Sequence, residues 1–192
     1  MSEKRIIPPD WELRIKWNVK LFKIINSKRN PYLDRFYKYF FRLGKSYTLP
    51  LFIPIFYFYG GFNSLIHLTV SLILTGIIMP ILKYTFRHKR PSKLIDDVYL
   101  MEPVTLKSFP SADAAYAFTL LSVITFYGNW LLVSIFIVYA FLIGFGRVYM
   151  GAHFPIDVIV GAVVGFLSGI SGFYLSYHFI ELVKKFSINL FL

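Results

Sequence analysis

The chain has 192 residues, of which 56% are hydrophobic, 20% aromatic and only 16% charged, with a formal charge of +11. At a mean hydropathy of +0.58 there are too few polar residues to cover a water-soluble globule, and too much apolar surface for a disordered chain. The absence of Cys removes disulfide scaffolds, zinc-thiolate sites and cysteine nucleophiles. The composition is that of a membrane protein.

Residues 1–45 form a basic segment carrying 12 of the 21 Lys and Arg. Between residues 10 and 27 the apolar Trp11, Leu13, Trp17, Leu21, Ile24 and Ile25 alternate with Glu12, Arg14, Lys16, Lys20 and Lys23. That many charges oppose a crossing of the bilayer centre and predict an amphipathic helix in the headgroup layer. No apolar stretch typical of a signal peptide opens the chain.

From Ser46 to Leu82 there are 37 residues without Lys, Arg, Asp or Glu. One helix crosses the hydrocarbon core in about 20 residues, and Gly60-Gly61 with Asn63 marks a turn. Two spans are expected, the first running from Phe40-Phe41 to about Tyr59. A second charge-free stretch, Ala114 to Gly146, has its turn at Gly128-Asn129 and predicts two more. A third, Val158 to Ile180, predicts one. Its Gly161, Gly165 and Gly169, spaced by four, are read as a close-packing stripe within the chain rather than a dimer contact. The expected architecture is all-α: a polytopic transmembrane bundle of about five spans over residues 46–192, preceded by the amphipathic segment.

Counting crossings puts two polar segments, Lys83 to Ser108 and Arg147 to Asp157, on one membrane face. Lys83, Arg87, His88, Lys89, Arg90, Ser111, Asp113, Arg147, His153 and Asp157 gather there. So many cations beside a His and carboxylates suit a phosphorylated group, since Arg and Lys match phosphate oxygens in geometry and charge. The helix beginning at Ser111-Ala112-Asp113 aims its free amides at the same face, although Ser111 also reads as a simple N-cap. His153 and Asp157, four apart, could pair so that one ring nitrogen is held and the other is free to attack. His67 reads as a buried hydrogen-bonding residue.

Three motifs in this order resemble those of the type 2 phosphatidic acid phosphatase (PAP2) superfamily. They are Lys83, six residues and Arg90-Pro91; Pro110-Ser111-Ala112-Asp113, where the family carries Pro-Ser-Gly-His; and Gly146-Arg147, five residues, His153, three residues and Asp157. The resemblance implies an integral-membrane lipid phosphatase working through a phosphohistidine on His153. In that reading Asp157 orients the nucleophile, while Lys83, Arg90, Ser111 and Arg147 hold the phosphate. It implies no cofactor and no metal; the expected partners are the lipid phosphate substrate and the bilayer, with no nucleic acid and no obligate protein. The substrates implied are lipid A 1-phosphate, undecaprenyl pyrophosphate or phosphatidylglycerol phosphate.

Two positions depart from the family pattern. Gly146 replaces a Ser, and Asp113 replaces the His that acts as general acid. With Asp113 at that catalytic position, either the leaving group needs little protonation or the carboxyl is protonated only with substrate bound. The alternative from another class is an inactivated or non-catalytic lipid-phosphate binder. Charge distribution places the site in the cytoplasm, whereas the resemblance implies the periplasmic face of a bacterial inner membrane; the resemblance is given the greater weight.

Overall fold

The computed structural model describes residues 8, 10–103 and 107–190, with side chains through 182. Among the described residues seven α-helices follow one another: α1 (Trp11–Arg14), α2 (Lys16–Ser27), α3 (Pro31–Phe40), α4 (Ile53–Phe86), α5 (Ala112–Ile124), α6 (Trp130–Tyr149) and α7 (Pro155–Leu190). Short 3-10 turns cover Phe41–Gly44, Ser46–Phe52 and Pro91–Lys93. The expected all-α transmembrane bundle is what the chain forms.

Three helical stretches among the described residues are long and apolar enough to cross a membrane: Ser46–Lys93, Trp130–Tyr149 and Pro155–Leu182. The first is interrupted at Gly61, whose φ of 59° is left-handed backbone available to glycine. Its start differs from expectation: no regular helix runs back from Tyr59 to Phe40. Phe41–Gly44 and Ser46–Phe52 form 3-10 turns instead; Pro50 supplies no backbone N–H within the second, and Pro54 lies in the first turn of α4, where none is needed. The 13 residues of α5 rise only about 20 Å at 1.5 Å each, short of a hydrocarbon core of about 30 Å.

Nine residues of α5 are buried, among them Ala114, Ala115, Ala117, Leu120 and Ile124, so this short helix is the centre of the bundle rather than a lipid-facing span. It packs most extensively on α7 and also on α4 and α6. The glycine stripe of α7 explains the closeness. A methyl group on Gly165 would meet the Ala115 backbone, one on Gly161 the Ser111 carbonyl, and one on Gly169 the Ser122 side chain. The stripe therefore works within the chain. His67, fully buried on α4, closes this packing through Nε2 to the Gly169 carbonyl at 2.8 Å. Large apolar side chains such as Ile77, Ile81, Phe141, Val163 and Leu167 point outward, as lipid contact requires.

The N-terminal segment does more than lie on a surface. Asn18 and Asn26 of α2 are buried: Asn18 receives the Ile156 amide at 3.0 Å, and Asn26 donates to the Tyr149 carbonyl at 3.0 Å and that of Tyr99 at 2.9 Å. The opposite face of α2 leaves Trp17, Leu21 and Ile24 exposed. The buried face thus joins Asn18 and Asn26 with Phe22, which packs on Phe154, while the outer face mixes Lys16, Lys20 and Lys23 with Trp17, Leu21 and Ile24.

Candidate active site

His153 stands in the tight connection between α6 and α7. Gly151 at φ 74° turns the chain there, beside the Tyr99 carbonyl. Pro155 then opens α7 with its ring in the first turn, where no amide hydrogen is needed, and Asp157 falls in that same turn. The bend required for pairing is present: His153 Nδ1 lies 3.3 Å from Asp157 Oδ2. The carboxylate oxygen also accepts the Phe154 amide at 3.1 Å and a close hydrogen bond from the Ser108 hydroxyl. With Nδ1 donating to Asp157, the Nε2 lone pair is left for chemistry; Arg90 Nη1 donates to it at 3.0 Å and to the Ala152 carbonyl at 2.8 Å.

Both His153 and Asp157 are buried, at 2% and 0% exposure. Burial, joined by the positive charges of Arg90, Arg147, Lys83 and Lys45, pushes the His153 imidazole well below its usual range. The ring is therefore held neutral, as a nucleophile must be.

A cavity of about 510 Å³ opens beside it, lined by Lys45, Lys83, Tyr84, Arg90, Glu102, Lys107, Ala112, Asp113, Arg147 and His153 among others. Of the residues expected to bind phosphate, Lys83, Arg90 and Arg147 reach this space. Lys83 also donates to the Ser108 carbonyl at 3.3 Å. Ser111 is placed differently. It is fully buried, its hydroxyl caps α5 by accepting the Ala114 amide, and it is not among the cavity's lining residues. The N-terminus of α5 faces the cavity through Ala112 and Asp113.

Asp113 is engaged as an acceptor. Its Oδ2 lies 3.0 Å from Arg147 Nε and 3.2 Å from Lys45 Nζ. Glu102 pairs with the same two cations, in close contact with Arg147 Nη1 and 3.4 Å from Lys45 Nζ. The Gly146 departure also has a physical reason, since a side chain there would run into the Tyr37 ring.

Sequence reasoning did not anticipate Lys45 or Ser108 as site residues, nor the pairing of the loop residue Glu102 with Arg147 and Lys45. Lys45 ends a turn far upstream, Glu102 sits in a polar loop with no periodicity, and Ser108 belongs to no spacing rule. Only the fold brings them together. Behind Ser108 lies a further arrangement. Its amide donates to the His88 carbonyl at 2.9 Å. The fully buried His88 Nδ1 takes the Trp11 indole N–H at 2.6 Å and sits 2.8 Å from Glu12 Oε1. Arg87 and Lys89 are exposed beside it.

The chain is similar to known proteins in both sequence and fold. The crystal structure of Aquifex aeolicus LpxE aligns with a TM-score of 0.76 and 40% identity, covering 81% of this chain and 94% of that one. An undecaprenyl-diphosphatase from Sulfolobus acidocaldarius is 29% identical over 157 residues, 80% of this chain and 76% of that protein. The transmembrane PAP2 type phosphatidylglycerolphosphate phosphatase from Bacillus subtilis shares the fold, with a TM-score of 0.65 at 24% identity over 91% of this chain and 89% of that one. Residues 64–181 match the family profile of the PAP2 superfamily and contain all three motifs. With that match extending over more than half of its length, the chain belongs to the PAP2 superfamily.

Proposed function

We propose that the protein is a membrane lipid phosphatase acting through a phosphohistidine on His153. One observation carries the reading: a buried imidazole fixed through Nδ1 by Asp157 turns Nε2 toward a cavity walled by Lys83, Arg90 and Arg147. An arriving phosphate takes over the donor that Arg90 now gives to Nε2. Nε2 then attacks phosphorus while the fixed cations stabilise charge on the equatorial oxygens. Asp157 stabilises the imidazolium character that develops on the ring, and Ser108 keeps that carboxylate in place. Water afterwards releases inorganic phosphate.

The reaction is proposed to be metal-independent. The cavity's two carboxylates, Asp113 and Glu102, are paired with Lys45 and Arg147, a donor set arranged for anions rather than for a divalent cation. The substrate class proposed is a lipid A 1-phosphate or polyprenyl pyrophosphate, ahead of phosphatidylglycerol phosphate. The Aquifex and Sulfolobus relatives support it, as does an acceptor rather than a donor at position 113. The site is proposed to face the periplasmic side of a bacterial inner membrane.

The test is phosphate release by detergent-purified protein, with EDTA present, from lipid A, undecaprenyl pyrophosphate, phosphatidylglycerol phosphate and phosphatidate. Release that survives EDTA and disappears in His153→Ala supports the reading, and the preferred lipid fixes the substrate. Binding without release from any of the four would assign the chain to the non-catalytic class.

A further inference from the structure

On a phosphomonoester a phosphohistidine route needs a proton for the oxygen that leaves first, and on any substrate a base for the water that attacks second. Few cavity groups can supply both. Asp113 accepts from Lys45 and is ion-paired with Arg147. Guanidinium groups do not release protons at working pH, which leaves out Arg90 and Arg147. Lys83 donates to the Ser108 carbonyl, on the Asp157 side of the nucleophile. Lys107 holds its ammonium over the Tyr84 ring, 3.2 Å from the centroid.

Lys45 is different. Its ammonium lines the cavity between two carboxylates, 3.2 Å from Asp113 Oδ2 and 3.4 Å from Glu102 Oε2. Its backbone is pinned, with the amide donating to the Arg42 carbonyl at 3.1 Å and the carbonyl accepting from Thr48 Oγ1 at 2.7 Å. The neighbouring Gly44 packs on Ile143 and the Asp113 side chain, which fixes the turn against α5 and α6. Lys45 lies upstream of the family match and in none of its motifs.

We propose that Lys45 is the proton donor to the departing oxygen, with Asp113 and Glu102 as its positioning residues. The proposal rests on the phosphohistidine reading above. In the first step the His153 Nε2 lone pair forms the N–P bond as the P–O bond to the lipid breaks. The electron pair of that bond stays on the lipid oxygen, which takes a proton from Lys45 and leaves as a hydroxyl. In the second step the neutral Lys45 amine takes a proton from water as the water oxygen bonds to phosphorus. The N–P bond breaks, its pair returns to Nε2, and phosphate departs.

The experiment compares two esters carrying the same long chain, an alkyl phosphate and a 4-nitrophenyl phosphate whose leaving group needs no proton. Lys45→Met should lower the rate of alcohol release in the first turnover of the alkyl ester by about 10²–10⁴-fold and that of nitrophenol release by less than about threefold, while steady-state hydrolysis of both esters falls because they share the second step. Lys45→Arg keeps the charge and the ion pairs but cannot give up a proton; it should restore KM without restoring kcat on the alkyl ester. Equal losses of first-turnover release on both esters, no loss on either, or recovery of kcat by Arg would overturn the assignment and leave Lys45 a binding cation. His153→Ala, run alongside, reports separately: release in that variant overturns the phosphohistidine reading itself.

Discussion

The Ser111 amide donates to the Asp157 carbonyl at 2.9 Å, joining the first turns of α5 and α7 at the floor of the site. Two elements that meet only through the fold are thereby held in one register. The contact survives only if the helices stay close, and closeness depends on the glycines of α7. Gly165→Ala would press a methyl group into the Ala115 backbone, which cannot yield as a flexible side chain can. A destabilisation of about 1–3 kcal/mol is expected from such overpacking, read as a lower unfolding temperature in detergent. Gly76→Ala is the control: its added carbon would come no closer than 3.5 Å, to Tyr116 Oη, and should change little.

Asp157 fixes the tautomer of His153, so Asp157→Asn should cost about 10²–10⁴-fold in kcat with KM little changed. Ser108→Ala removes one hydrogen bond to that carboxylate and leaves the pair in place. One hydrogen bond to a charged group is worth about 1.5–3 kcal/mol, which predicts a loss of about 10- to 150-fold. A Ser108→Ala enzyme as inactive as Asp157→Asn would show that the hydroxyl acts directly on substrate.

The depressed His153 imidazole fixes the sign of two pH effects. Because burial and the surrounding cations hold the ring neutral, the acid limb of kcat/KM set by this group should lie well below the ordinary histidine range. Free histidine titrates near about 6.5. Stability follows the same linkage: between the folded and unfolded values the unfolded chain binds more protons. This contribution is therefore complete above about pH 6.5 and is lost as pH falls below it. Denaturation followed against pH in wild type and His153→Ala should show a shallower acid loss in the variant.

Much of this site was legible because chemistry constrains spacing. Lys83, Arg90, Arg147, His153 and Asp157 could be placed on one face by counting crossings, and the His153–Asp157 pairing by their separation of four. Lys45 was not legible, nor was its pairing with Glu102, since an ion pair between residues 57 apart leaves no local pattern. The 3-10 stretch Ser46–Phe52 was hidden by an apolar composition that suits α-helix and 3-10 turns alike, with Pro50 the sole hint inside it. Burial of Asn18 and Asn26 beside Phe22 was not legible either, because their partners are backbone groups at the ends of α6 and α7, 123 and 138 residues away.

Orientation has a direct readout because the chain contains no Cys. Lys89 lies at the exposed edge of the catalytic end, and Asn129 lies in the turn that caps α6 at the other, so Lys89→Cys and Asn129→Cys each introduce a single thiol at one end. With the site facing the periplasm, a membrane-impermeant maleimide should label the Lys89→Cys variant in intact cells and the Asn129→Cys variant only after permeabilisation. The reverse pattern would place the active site in the cytoplasm, as the charge distribution alone implies.

Glu102 and Asp113 currently neutralise two cations that an incoming phosphate needs, so substrate binding is a competition between anions. Removing one negative charge should favour the substrate. Two charges about 6 Å apart interact by about 1–3 kcal/mol for effective dielectrics of about 80 down to 20, and the partial exposure of the Lys45 side chain, at 26%, points to the lower end of that range. Glu102→Gln should therefore lower KM and the inhibition constant for inorganic phosphate together, by about 3- to 10-fold. Turnover should fall less than in Lys45→Met, since Asp113 still holds the ammonium. A rise in KM would mean instead that Glu102 aligns Arg147 for the phosphate, and that the close Glu102–Arg147 pair is part of the binding geometry rather than its competitor.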